Sequence, residues 1–181
     1  MTQKITFLLL FVTSFIMSSC SSDDNNMNLN VDNPKNILGE WIVEDYLNEY
    51  TFKYNDDETE KGREVLSKGK VTMNFKENGE LWTIYEDDAT FLDEFTTTSF
   101  GSESESFKPR EDELNGSWEI IDKKHLKLKN TLFLERYVFS EPFEIVEFSK
   151  NRITLKLEIN RNTDSTEGKE LYSLVLSRVN K

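Results

Sequence analysis

Residues 70–85 read KVTMNFKENGELWTIY, and this stretch decides the fold. Val71, Met73 and Phe75 alternate with Thr72, Asn74 and Lys76. A period of two marks a strand with one face buried. Asn78-Gly79 follows, a pair that tolerates positive φ and gives the strongest short hairpin signal. Residues 80–85 supply the return strand. The same rhythm continues outward. Residues 117–121 and 125–129 pair around Asp122-Lys123-Lys124, and residues 143–148 turn at Lys150-Asn151 into Ile153, Leu155, Leu157 and Ile159, each separated by a polar residue. A last strand covers 170–179 after a loop over 161–169. On the N-terminal side, 40–47 and 49–54 read as two strands, 58–66 as a turn or two of helix, and 91–100 as a strand. The serine-rich, acidic stretch 102–113 reads as a long, mobile loop. Eight to ten short strands with no long helix predict an all-β, antiparallel sandwich or barrel. Closure favours the barrel, because it leaves no unpaired edge.

The chain has 181 residues, enough for one sizeable core, and a formal net charge of −12. Nucleic acid is excluded as a partner, since 34 acidic residues outweigh 22 basic ones and phosphate binding needs clustered Lys and Arg. One Cys and one His exclude zinc fingers, disulfide scaffolds and Cys/His metal clusters.

The N-terminus carries an address. Residues 1–19 hold Lys4 and the apolar run ITFLLLFVTSFIM, which has the length of a signal-peptide core and falls short of the roughly 20 residues that span a bilayer. The run ends at Met17-Ser18-Ser19-Cys20, which resembles the lipobox of bacterial lipoproteins, with Met where Leu is commoner. The resemblance implies cleavage before Cys20, its lipidation, and a membrane partner held through the acyl chains. Residues 20–35 are polar and read as a flexible tether. Ser22-Asp23-Asp24 resembles the export signal of surface lipoproteins of Bacteroidota, which implies an outer-membrane anchor with display at the cell surface.

Ile37-Leu38-Gly39-Glu40-Trp41 carries the Gly-x-Trp that opens the first strand of lipocalins. Together with the Asn-Gly hairpin, Gly116-Ser117-Trp118 and the closing Leu174-Val175-Leu176-Ser177-Arg178, it makes residues 36–181 resemble the lipocalin-like domains of Bacteroidota lipoproteins. The resemblance implies an up-and-down barrel with a central cavity. It also implies that Arg178 lies across the Trp41 ring and joins the first and last strands.

No catalytic motif stands out. His125 has no second His or nucleophile pattern beside it and reads as a turn residue. The acidic run 55–60 lacks EF-hand spacing, so it reads as a solvated loop rather than a metal site. The expectation is a monomeric, non-enzymatic protein that needs no cofactor or metal. Trp82, Tyr85, Phe91, Phe95 and Phe100 cluster in one stretch; they line either a ligand cavity for a small apolar or amphipathic molecule or the barrel's own packing. The alternative function is a solid barrel whose loops bind a protein or glycan.

Overall fold

The computed structural model describes residues 33–55, 57–109, 111–130 and 141–179. The leader, Cys20 and most of the tether lie outside the described residues. A short 3-10 turn, Pro34–Asn36, precedes nine strands: β1 (Gly39–Tyr54), β2 (Thr59–Phe75), β3 (Glu80–Thr97), β4 (Gly101–Phe107), β5 (Glu113–Asp122), β6 (His125–Lys129), β7 (Phe143–Phe148), β8 (Arg152–Asn162) and β9 (Thr166–Arg178). Every pairing is antiparallel. Eight strands close into an up-and-down barrel, with β9 returning to β1 and β2 pairing β3, while β4 adds to β3 outside the ring.

The hairpin at Asn78-Gly79 forms as its sequence predicts, with only Gly79 at positive φ (79°) and the Asn78 Oδ1 accepting from the Glu80 N–H at 3.2 Å. Four local expectations are corrected. The expected helix over 58–66 is instead the start of β2, strand from Thr59 onward: good helix formers such as Glu60, Lys61, Arg63 and Glu64 are held extended by β1 on one side and β3 on the other. Residues 102–107 are strand β4, not loop, because the outer half of β3 (Phe91–Thr97) offers them a ladder. Their Ser/Glu alternation puts charge on the edge of the sheet, which discourages pairing with other chains. Finally, 40–47 and 49–54 are one strand, and the 161–169 loop shrinks to a tight turn where the Thr163 Oγ1 accepts from the Thr166 N–H at 3.0 Å.

β3 is bent in the middle. Asp87 and Asp88 take left-handed backbone conformations (φ 56° and 58°), as does Gly69 (φ 81°) on the facing strand. The β2–β3 register shifts on either side of Lys68. The bend lets the near half of β3 (Glu80–Ile84) pair with β5 and the far half with β4. Exposed ion pairs dress it: Lys70 with Glu86 at 2.7 Å and Lys108 with Asp88 at 3.1 Å.

The barrel has two unlike ends. The lower end carries the 3-10 turn, the β2–β3 turn and the chain's close; the upper end carries the β1–β2, β3–β4 and β8–β9 turns. Apolar side chains fill the lower half, among them Trp41, Met73, Phe75, Leu81, Leu126, Leu128, Ile153, Leu155 and Leu176, all fully buried.

Candidate functional site

The lower end is sealed by the two residues that the lipocalin resemblance pairs. Trp41 and Arg178 are cross-strand partners on β1 and β9, with the guanidinium carbon 4.1 Å from the ring centroid. Arg178 also donates to three backbone carbonyls: Lys150 at 2.8 Å, Leu38 at 2.9 Å, and Asn36. The Trp41 Nε1–H donates to the Ile37 carbonyl at 2.7 Å, which draws the buried Ile37 over the barrel floor. Gly39 is needed here, because its φ of 110° is one that other residues rarely adopt.

The five aromatics do not line one cavity. Strand parity separates them: Leu81, Thr83 and Tyr85 point inward, so Trp82 points out, 37% exposed, with the Lys76 Nζ 5.7 Å from its ring. Phe100 sits in the β3–β4 turn, 79% exposed. Tyr85 and Phe91 are buried; Phe91 stacks on Phe107 and meets Tyr46 edge-on, each with centroids 5.7 Å apart. Phe95 is half-buried opposite Gly62. Packing therefore accounts for the buried members.

The upper half of the interior differs in chemistry. The inner face of β1 there reads Tyr46, Asn48, Tyr50, Phe52, Tyr54. The three phenols each donate to a carboxylate: Tyr46 to Glu64 at 2.8 Å and Tyr54 to Glu60 at 3.3 Å, both on the adjacent β2, and Tyr50 across β2 to Asp93 of β3 at 2.9 Å. Glycine makes the long reach of Tyr50 feasible, since a Cβ at Gly62 would lie 2.5 Å from the Tyr50 phenol. Likewise Phe52 lies over Gly168 of β9. Beyond Tyr172, the buried Glu170 accepts from the Arg161 Nε–H at 2.7 Å. Burial pushes the Tyr46 phenol well above its ordinary range, with the Glu64 charge adding to the effect. Tyr50, Tyr85 and Tyr172 are raised too, burial again being the main cause.

Asn48 is the exception in this ladder. It is 6% exposed, its cross-strand partners are Glu64 and Tyr172, and its Oδ1 has no hydrogen-bond partner among the described residues. A buried acceptor left so costs about 1–3 kcal/mol. The sequence signal for this region was the alternation of Tyr46, Asn48, Tyr50, Phe52 and Tyr54, which is obscured when Asn48 is taken as a break between strands.

At the upper rim, a polar cleft of about 550 Å³ lies between the β1–β2 and β8–β9 turns, lined by Tyr54, Asn55, Asp57, Thr163, Thr166 and Glu167 among others. Asn55 stitches the two turns together, its N–H donating to Ser165 at 3.2 Å and its Nδ2 to Asp164 at 2.9 Å. His125 is the first residue of β6, just after the β5–β6 turn, with its Nδ1 2.8 Å from an Asp122 oxygen. The Lys124 backbone N–H and then His125 hold the Asp122 carboxyl below the usual range. Among the described residues, no group of three or more His, Cys, Asp and Glu is placed to hold a metal ion. No protein-family model, no curated protein and no solved structure matches this chain.

Proposed function

We propose that this chain is a lipid-anchored envelope protein, tethered through Cys20 at the outer membrane and displayed at the cell surface, whose monomeric lipocalin-like barrel binds a small ligand in its upper interior without catalysis. The observation that carries the binding reading is the buried Asn48 acceptor among the tyrosines and carboxylates of that half. Side chains already fill the floor, so an apolar ligand seated deep in the barrel is disfavoured, and the ligand must match polar groups. The rim cleft favours a second reading, in which the barrel is solid and its upper turns bind a glycan or protein.

Two tests separate these claims. An alkyne fatty acid fed to cells should label the wild-type chain and not Cys20→Ser; label retained in the variant contradicts the anchor. In a melting screen of the full-length protein against small metabolites, a ligand at about 100 times its Kd adds about 2.7 kcal/mol and raises Tm by several degrees. No shift across the panel contradicts the ligand reading and leaves the rim as the site.

A further inference from the structure

We propose that the interior around Asn48 receives a primary ammonium group, so that small aliphatic amines are the ligand class of this barrel. The proposal rests on the ligand-binding reading above and sharpens it.

In antiparallel ladders, paired residues direct their side chains to the same face. Asn48 pairs with Glu64 on β2 and with Tyr172 on β9. Glu170 stands two residues before Tyr172, on the same inner face. Asn48 is therefore flanked on the inner face by two acidic residues, Glu64 and Glu170, on opposite neighbouring strands. Its Oδ1 can be satisfied only by a donor, and none of the described residues supplies one. Each carboxylate has about four acceptor positions. Glu64 accepts from Tyr46 and Glu170 from Arg161, and the several acceptor positions of a carboxylate accommodate more than one donor.

An ammonium carries three N–H donors and a positive charge. It would place one donor on the Asn48 Oδ1 and direct the others to the flanking carboxylates. The rings of Tyr46, Tyr50 and Tyr172 border the same face and favour a cation near their π-surfaces. The alternatives match less well. An anion would meet Glu64 and Glu170, a hydrocarbon would leave Oδ1 unmet, and a neutral hydroxyl would satisfy Oδ1 while gaining little from the charges.

The test is calorimetric titration of the full-length protein in detergent at neutral pH with butylamine, cadaverine and spermidine. Butanol serves as the neutral control and anilinonaphthalene sulfonate as the apolar probe. The expected result is saturable one-to-one binding of at least one amine and none of butanol. Asn48→Leu and Glu170→Gln should each weaken that binding at least about tenfold. Asn48→Asp, which keeps the acceptor and the side-chain size and adds a negative charge beside the ammonium, should bind the amine severalfold more tightly than wild type. That variant tests the proposal even if Asn48→Leu fails to fold. Amine binding that ignores all three substitutions is attraction to the acidic surface and overturns the proposal. Silence from the amines with saturable binding of the apolar probe overturns the amine class while the ligand-binding barrel stands. Silence from every probe overturns both, and assigns the Asn48 acceptor to a buried water.

Discussion

Arg178 is a charged residue near the chain's end that the fold draws inward, and its contacts explain why. Its guanidinium covers Trp41 and donates to three carbonyls, tying the last strand to the first strand, the N-terminal turn and the β7–β8 turn. Arg178→Met should cost about 2–4 kcal/mol in urea unfolding, because charge-assisted bonds are lost and carbonyls are left without donors. A cycle with Trp41→Phe should return a coupling of about 0.5–2 kcal/mol. A coupling of zero would mean that the stacked geometry carries no energy. Sequence reading reached this pair because Gly39, Trp41 and Arg178 form a pattern known from lipocalins. It missed Asn48, since an Asn between two apolar stretches reads as a turn, and only the neighbouring strands reveal it as an inward residue. Trp82 was misplaced for a related reason: nearness in sequence says nothing about which face a strand residue takes, and one step of parity reverses it.

At the scale of elements, the bend in β3 is what lets one strand serve both β5 and β4. Two aspartates at positive φ and the close passage of Gly69 past the Ala89 backbone define it. Gly69→Ala meets both a left-handed φ and a backbone collision. It should destabilise the protein by more than about 2 kcal/mol, read as a drop in the urea midpoint, and loosen β4 first in hydrogen exchange. An unchanged midpoint would show that the β2–β3 crossing is slack. Regular strands such as β8 were legible because their apolar period is clean. β4 and the first half of β2 were not, because their residues favour loops or helices when taken alone. Their extended form comes from the hydrogen-bonding edges that β1 and β3 present, a tertiary cause that outweighs local propensity.

At the scale of the molecule, the barrel divides into an apolar floor and a polar upper interior, and its response to alkali should expose that division. Burial holds the phenols of Tyr46, Tyr85 and Tyr172 above their ordinary range, whereas unfolded phenols ionise near pH ~10. Below that pH both states keep these protons and the stabilisation is fully present. Above it the unfolded chain releases protons that the folded chain retains, so stability falls as pH rises. Each phenol contributes about 1.4 kcal/mol per pH unit, or about 4 kcal/mol per unit for the three together. Tyrosinate absorbance should therefore rise with unfolding rather than before it; smooth titration of these phenols in the folded protein would show the upper interior to be open to water. The barrel itself was legible as a class from hairpin rhythm and closure, but the chemistry of its upper half depends on which strands face one another across the sheet. The most direct check on a ligand-binding barrel is native mass spectrometry of the full-length protein gently extracted from its own cells. Its mass should exceed that of the bare chain by one small molecule, released on collisional heating and absent from Asn48→Leu. A spectrum with only the bare chain, identical in wild type and variant, would contradict it.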